Sequence, residues 1–322
     1  MRISIDRVRD ARHRARRLAR RTAAVAYRSI VVPLIGRAET EHALDLACRL
    51  AGERRAHVLL VAPLIVEQEL PLNSHFEREA SALRDQVEEA AGIARAYGVG
   101  VKERLIRARA GGLGREVAEV ANDHRAELIV VGAPVASRRG FRHAFPADIS
   151  SIVRDAPCRV MIVSGRVVRR PSDERAVLSR ILVPMKLGPI GEEMVATAVR
   201  LAGDHHAEVE ALFVIRVPLD QPLDARMSDE EERATASLTE AAKLGADLGV
   251  EVSGNTVRAR SIGEAIVAAA TEGRPDLIVL GSSGRWRRQS RVFSPTVDYV
   301  LRHAPGEVLV VAFPRDATLP PA

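Results

Sequence analysis

The chain has 322 residues, 47% of them hydrophobic and 28% charged, so it is long enough for about two domains and is neither disordered nor collagen-like. Aromatic residues make up only 3%, which argues against the base-stacking surfaces of single-strand nucleic-acid binders. Two cysteines cannot form a disulfide framework, which favours a reducing cytoplasm, and no apolar run reaches the roughly 18 residues of a membrane span.

The first predicted element is a basic segment, residues 1–26, with nine Arg against Asp6 and Asp10. Its balance of +7 exceeds the +6 of the whole chain, so the remaining residues sum to about −1, and no specific nucleic-acid partner is expected for the folded part. The segment is predicted to be a helical or disordered tail. Three roles stay open for it: a solvated tail, a contact with anionic lipid or a membrane protein, and nonspecific nucleic-acid contact.

Short apolar runs bounded by turn residues predict buried parallel strands along the first half of the chain. Between the second and third runs, apolar residues from Phe76 to Ala94 recur at spacings of three and four, which predicts a helix. Further along, Ser228 and Glu231 form a capping box that predicts the start of a similar helix. The alternation predicts an α/β fold with right-handed crossovers and helices on both faces of the sheet. The predicted strands lie near 29–34, 56–63, 99–107, 127–132 and 159–163.

The second half of the chain repeats the first at a distance near 150 residues. Ser29–Leu34 recurs 151 residues later as Arg180–Met185, and Ala156-Pro157 recurs 148 residues later as Ala304-Pro305. Two tandem copies of one domain are therefore predicted, here called copy one and copy two. The predicted organisation is a tail at 1–26, copy one at 27–165, a linker at 166–177, copy two at 178–314 and a C-terminal tail at 315–322.

Copy two carries Gly281-Ser282-Ser283-Gly284 after its fourth predicted strand, and Ser294-Pro295 after nine further residues. Together with a first strand that ends in Val183-Pro184, this pattern resembles the universal stress protein family in its tandem form. The resemblance implies a Rossmann-like, five-stranded parallel open sheet in each copy and pairing of the copies through their last strands. It also implies that ATP, in the members that bind it, sits at the carboxyl ends of the strands. Because a basic segment precedes copy one, the chain is also similar to the universal-stress-type tails of some bacterial transporters.

The ATP-binding members of that family carry an Asp after the first strand, which holds the adenine, and Gly-x2-Gly-x9-Gly followed by Ser or Thr for phosphate and ribose. Glycine allows backbone N–H groups to approach phosphates, and the next helix presents its positive N-terminus. In copy one the Asp position is Ile35, and the second Gly is replaced. Copy one is therefore expected not to bind ATP in the family manner. Its remaining counterpart positions are Gly132, Val135, Pro146 and Ala147.

Copy two keeps half of the motif, because Gly281 and Gly284 remain while Lys186 stands at the Asp position. Ser294 followed by Pro295 is a favourable helix start in its own right, so this pair is first interpreted as a cap. The alternative is that the glycines and the helix N-terminus receive an anion or a nucleotide. The candidate residues for that alternative are Met185, Lys186, Gly281, Gly284, Arg285, Ser294, Pro295 and Thr296.

The sequence contains no catalytic constellation and no metal-ligand spacing, so no enzyme activity and no metal are predicted. The predicted function is a non-catalytic regulatory or binding module with degenerate ATP sites, linked to stress response or transporter regulation. One alternative is a nucleotide binder that takes ATP, a cyclic nucleotide or another adenine nucleotide in copy two. The other is a membrane-associated interaction module that uses the basic tail. The expected location is the cytoplasm, or the membrane periphery in the second alternative. Whether the protein forms a homodimer stays open.

Overall fold

The computed structural model describes residues 27–51, 56–71, 76–134, 145–164, 178–186, 188–203, 207–284, 286 and 292–314. The two predicted tails, the linker at 166–177 and the candidate residues Val135 and Arg285 lie outside the described residues. Among the residues that are described, no helix is long and apolar enough to cross a membrane.

Strands and helices alternate through both copies, as the apolar runs predict. Copy one contains β1 (Ser29–Pro33), α1 (Arg37–Leu50), β2 (His57–Val66), α2 (Glu77–Ala96), β3 (Gly100–Arg109), α3 (Leu113–Asp123), β4 (Leu128–Ala133), α4 (Ala147–Asp155) and β5 (Arg159–Ser164). Copy two contains β6 (Arg180–Pro184), α5 (Pro189–Gly203), β7 (Glu208–Arg216), α6 (Ser228–Asp247), β8 (Val252–Ala259), α7 (Ile262–Gly273), β9 (Leu277–Ser282), α8 (Pro295–His303) and β10 (Glu307–Ala312).

The ten strands form one sheet in the order β3-β2-β1-β4-β5-β10-β9-β6-β7-β8. Neighbouring strands are parallel within each copy. The copies meet where β5 and β10 run antiparallel, with Ile162 opposite Val310 and Val163 opposite Leu309. The two five-stranded sheets are therefore continuous with each other.

Helices cover both faces of this sheet, so its central strands are buried on both sides. One face packs against α1, α2, α5 and α6, and the other against α3, α4, α7 and α8. Every residue of β1 and β4 is buried, which explains why these strands read as continuous apolar runs rather than alternating ones. Each face carries a core that runs through both copies.

The predicted capping box at Ser228 is wrong by one position. Helix α6 begins at Ser228, but its N-cap is Met227, whose backbone N–H donates to Glu231 Oε1 at 3.2 Å. Glu231 also accepts a hydrogen bond from the guanidinium of Arg258. The Met227 N–H, followed by Arg258, lowers the pKa of Glu231. The glutamate thus fills its predicted role, whereas the serine is the first residue of the helix.

Candidate functional site

Each copy contains a crevice where its strand order changes direction. In copy one, β1 lies between β2 and β4, and it pairs with β4 through Ile30 opposite Leu128 and Val31 opposite Ile129. In copy two, β6 pairs with β9 through the corresponding residues, from Ile181 opposite Leu277. Open α/β sheets bind ligands outside the carboxyl ends of the strands at such a point. The end of β4 and the end of β9 are therefore the places to look for a site.

In copy one, the backbone of helix α1 closes one side of the crevice. Gly132, in β4, is buried, and a Cβ atom at this position would overlap the carbonyl oxygen of Glu39 in the first turn of α1. Close packing of helix on strand therefore requires the glycine, with or without a ligand. Ile35 lies beside the crevice, partly buried, and contributes no charge.

In copy two, side chains fill the equivalent space. Gly281 lies 149 residues after Gly132, and a Cβ atom there would overlap Ile190 Cγ2 and come within 2.7 Å of Met194 Sδ. Gly281 is partly exposed, in contrast to Gly132. The space above Gly281 can open by rotation of side chains, whereas the space above Gly132 can open only if helix α1 moves.

The turn after β6 places the next two candidate residues. The Met185 N–H donates to the Leu212 carbonyl at 2.7 Å, which extends the pairing with β7 and fixes the turn. The Lys186 carbonyl lies against Gly191, where a Cβ atom would overlap it. Met185 is partly buried and packs into the core, and the Lys186 side chain is exposed. The lysine therefore presents its ammonium group to solvent at the rim of the crevice.

Ser294 and Pro295 form the start of helix α8. The Ser294 Oγ accepts a hydrogen bond from the Val297 N–H at 3.2 Å, and Pro295 is the first helical residue. Thr296 follows, partly buried. In copy one, Pro146 is the N-cap of α4 and provides no side-chain bond, and Ala147 is the first helical residue. The capping interpretation of Ser294 is therefore what the structure shows.

Met185 and Lys186 also line a groove between α5 and α6. Its volume is about 70 Å³. Its wall includes Ser237, which is 2% exposed and whose hydroxyl has no hydrogen-bond partner in the described structure. Sequence reasoning missed this serine because no motif surrounds it. The full lining is Met185, Lys186, Gly188, Glu192, Val195, Ser237, Glu240, Ala241 and Leu244.

Copy one has an equivalent groove between α1 and α2, but its volume is smaller, at about 10 Å³. Gln86 stands 151 residues before Ser237, and its Nε2 donates to the Gly36 carbonyl at 3.4 Å. The longer side chain spans the groove that the serine leaves open. Other residues of the lining correspond as well, with Glu41 and Glu89 equivalent to Glu192 and Glu240.

The sequence model of the universal stress protein family matches residues 26–164 and again residues 178–312. The chain belongs to the universal stress protein family. A universal stress protein of Methanocaldococcus jannaschii is 26% identical over 142 residues, which cover 42% of this chain and 83% of that protein.

Solved structures of whole tandem length share the fold. A universal stress protein of Archaeoglobus fulgidus has a TM-score of 0.58 at 17% identity, covering 89% of this chain and 97% of the other. A Pseudomonas aeruginosa protein of unknown function has a TM-score of 0.56 at 18% identity, covering 92% and 95%. At these identities the likeness supports the fold alone.

The candidate residues of this universal stress protein fall on two faces of the sheet. Met185 packs into the core beside α5 and α6, whereas Val297, in the first turn of α8, packs into the core of the opposite face. Beyond the two residue pairs that join β6 to β9, Met185 follows the end of β6, and Gly281 lies near the end of β9. Gly284 follows, buried, just beyond the end of β9. The structure thus places Met185 and Lys186 at the groove between α5 and α6, Gly281 beneath Ile190 and Met194 of α5, and Ser294 at the start of α8 on the opposite face of the sheet.

Groups that could carry reaction chemistry are sparse in the described part of this universal stress protein. No cluster of three or more His, Cys, Asp or Glu side chains there could hold a metal ion. Burial raises the pKa of the Cys48 thiol to about 12, so this cysteine is a protonated core residue rather than a nucleophile. Burial, reinforced by Glu193, also raises the pKa of Tyr27. Cys48 lies in α1, and Tyr27 lies beside the C-terminal end of α1, where its hydroxyl donates to Glu193 of α5.

Proposed function

We propose that this universal stress protein is a non-catalytic regulatory module of the cytoplasm, acting in stress response or in transporter regulation, whose copy one does not accept ATP. One observation carries the proposal: the Glu39 carbonyl of helix α1 lies directly over Gly132. A phosphate could approach the Gly132 backbone from the side of α1 only if the helix moved. Ile35 supplies no carboxylate for an adenine, and Pro146, the N-cap of α4, has no N–H group.

Photo-crosslinking of the full chain with an azido-ATP analogue, followed by peptide mapping, tests this proposal. We expect no adducts between residues 132 and 147 that unlabelled ATP competes away, and no phosphate release above the buffer rate. The Ile35→Asp variant is the control: it restores the family's carboxylate but leaves α1 in place, so copy one should still form no adduct. Competed adducts in this range, or phosphate release by the wild-type chain, would contradict the proposal.

The second candidate function is binding of an adenine nucleotide or a smaller anion by copy two. It is favoured by the exposed Lys186, the partly exposed Gly281 and a crevice filled by side chains that can rotate. The groove beside Lys186 measures about 70 Å³, against roughly 300–1,000 Å³ for typical ligand pockets. The groove itself therefore suits a small group, and a whole nucleotide would require Ile190 to move.

Calorimetric titration of the full chain with ATP and with cyclic AMP tests copy two. If Lys186 meets a phosphate, Lys186→Ala should weaken binding by about tenfold, which is the usual size of one charge-assisted contact. Lys243→Ala is the matched control, because Lys243 is an exposed lysine of α6 outside the groove. Equal affinity in the wild-type chain and Lys186→Ala would exclude this role for the lysine.

The basic segment favours a further role at anionic membranes. Nine Arg fall within residues 1–26, and each basic residue near an anionic surface contributes about 1 kcal/mol. Co-sedimentation with phosphatidylserine-containing vesicles should therefore be measurable at about 0.01 M salt and fade at about 0.15 M, where the Debye length falls from about 30 to about 8 Å. Deletion of residues 1–26 should abolish it. Equal sedimentation of the truncated chain would contradict a role for the segment.

A further inference from the structure

The two copies meet around a pseudo-twofold axis. Ile162 lies opposite Val310, which is its own equivalent 148 residues later in the repeat. On the face of α4 and α8, Phe145 and Phe293 are also 148 residues apart in the sequence. Their rings pack edge to face, with 5.9 Å between the ring centroids. Each copy thus presents the same kind of surface to the other. By shape alone, such a surface could pair with a second copy of itself.

Charges on the opposite face break this equivalence. The Nε2 of His42 on α1 lies 2.7 Å from Oε1 of Glu307 at the start of β10. The symmetry-related contact joins Arg159, at the start of β5, to Glu193 on α5, with 3.6 Å between Nε and Oε1. Glu193 is the equivalent of His42, and Glu307 is the equivalent of Arg159. Copy one therefore supplies an arginine and a histidine, which is cationic only when protonated, and copy two supplies both carboxylates.

The surroundings screen the two carboxylates from solvent and hold Arg159 and Glu193 in place. The side chains of Glu193 and Glu307 are 13% and 20% exposed, so solvent screens them less than it screens charges on an open surface. The Tyr27 hydroxyl donates to Glu193 at 2.9 Å, and the Arg159 guanidinium lies over the ring of Phe313 at 5.6 Å. These contacts orient the Arg159–Glu193 pair, so its charges cannot simply turn away from an unsuitable partner.

We propose that these four side chains make the pairing surface selective, so that copy one fits a copy two and neither copy fits its own kind. In a pairing of two copy-one domains, the second Arg159 would face His42 and lose its carboxylate partner; where His42 is protonated, it would also meet a like charge. In a pairing of two copy-two domains, Glu193 would face the second Glu307. Like charges, and charges that lose their counter-ion, reject a partner that shape alone would accept. At this surface the two copies of one chain therefore pair with each other. A second chain can pair there only if its copy one or copy two replaces the corresponding copy of the first chain.

Charge reversal in the full chain tests the pairing rule. One variant makes copy one acidic (His42→Glu with Arg159→Glu), a second makes copy two basic (Glu193→Arg with Glu307→Arg), and a third combines all four changes. Each mismatched variant should lower the calorimetric unfolding midpoint by about 5 °C, and the fourfold variant should recover most of that loss. The control reverses Glu230 and Arg233, an ion pair within α6 at 2.7 Å. Because Glu230 lies in the first turn of the helix, this reversal should lower the midpoint slightly, by about 2 °C at most.

Selectivity is read by co-refolding tagged and untagged chains. The acidic variant carries two acidic copies and the basic variant carries two basic copies, so each lacks a partner within its own chain but matches the other. Tagged acidic chain should capture several times more untagged basic chain than untagged acidic chain. If a doubly reversed chain does not fold, Glu307→Arg alone provides the mismatched variant, and Glu307→Arg combined with His42→Glu provides the rematched one. Additive midpoint losses in the fourfold variant, or capture without preference, would overturn the proposal.

Discussion

The two copies solve the same packing problem at their crevices with different atoms. Above Gly132 lies the Glu39 backbone, and above Gly281 lie the side chains of Ile190 and Met194. Both glycines allow close helix packing, so their presence in the motif does not by itself indicate a phosphate site. What distinguishes the copies is whether the atoms above the glycine can move. Backbone in a packed helix cannot, whereas a side chain can change rotamer.

The largest expected effect follows from this difference. Gly132→Ala should destabilise the protein by about 3 kcal/mol or more, because the new methyl group meets backbone. Gly281→Ala should cost about 1–2 kcal/mol, because Ile190 can yield in part. Urea unfolding of both variants measures the gap. Gly92→Ala is the control, since nothing lies within 4 Å of a Cβ atom there, and it should stabilise helix α2 by up to about 1 kcal/mol.

A second variant separates packing from backbone strain at Gly281. Neither Gly132 nor Gly281 has a positive φ angle, so alanine is compatible with the backbone at both positions. Shortening the opposing side chain should therefore rescue the substitution: Ile190→Ala together with Gly281→Ala should be more stable than the sum of the single losses predicts. Strict additivity would show that the contact with Ile190 is not the cause.

The next largest effect concerns Arg200 and Arg49, which occupy equivalent positions 151 residues apart. Arg200 donates to the carbonyls of Arg49 and Ala51 at 3.2 and 2.9 Å, which ties α5 to the C-terminal end of α1. Arg49 instead forms an ion pair with the partly exposed Asp45 one helical turn away, at 2.9 Å, and its guanidinium lies 5.8 Å from the centroid of the Tyr97 ring. Arg200→Ala should cost about 2 kcal/mol and Arg49→Ala less than about 1 kcal/mol in thermal unfolding. Equal losses would mean that the contact between copies contributes nothing.

The sequence was sufficient to predict the strands and helices and their order along the chain, because the buried strands are continuous apolar runs and each copy repeats the pattern of the other. It also predicted the cap at Ser294, since capping depends on neighbours in the chain. It could not predict the groove at Ser237 or the pairing of His42 with Glu307. These contacts join residues that are adjacent only after the helices pack and after β5 meets β10. The one-residue error at Ser228 arose because Met227, which no capping preference favours, takes the cap position.

Alkaline pH should unfold copy one before copy two, by about 1–2 kcal/mol at pH 10. Burial raises the pKa of Tyr27 and raises that of Cys48 to about 12, and these two groups account for most of the effect. Burial and Asp45 also raise the pKa of Tyr97 to about 12, but this side chain is 44% exposed, so solvent screening makes its contribution small. Each group stays protonated in the folded protein and ionises in the unfolded chain at lower pH, so the stability that it contributes is present below about pH 8.5 and is lost as pH rises toward 12. The equivalent positions of copy two hold Leu178, Val199 and Leu248.

Hydrogen exchange followed by peptide mass analysis between pH 8 and 10.5, corrected for the intrinsic exchange rate, resolves the two copies. Peptides from α1 should lose protection first as pH rises, while those from α5 keep theirs. Cys48→Val copies the residue at the equivalent position of copy two and should flatten the pH dependence of α1. A pH dependence that is the same in both copies, or unchanged by Cys48→Val, would refute the assignment.

The smallest expected effect is the change in stability when Ser237 or Gln86 is replaced by alanine, and it has opposite signs in the two grooves. The Ser237 hydroxyl is buried without a hydrogen-bond partner, and burial of an unpaired hydroxyl is unfavourable, so Ser237→Ala should leave stability unchanged or raise it by up to about 1 kcal/mol. Gln86→Ala removes the bond to the Gly36 carbonyl and should cost about 0.5 kcal/mol.

Thr197→Val is the control, because Thr197 is equally buried and unpaired but does not line the groove. Both Ser237→Ala and Thr197→Val should therefore raise the unfolding midpoint slightly, but only Ser237→Ala should alter ligand binding in copy two, since only that hydroxyl lies in the wall of the groove. If Ser237→Ala destabilises the protein by more than about 1 kcal/mol, the hydroxyl has a partner in solution, and the open groove of copy two is not an unfilled version of the one that Gln86 spans.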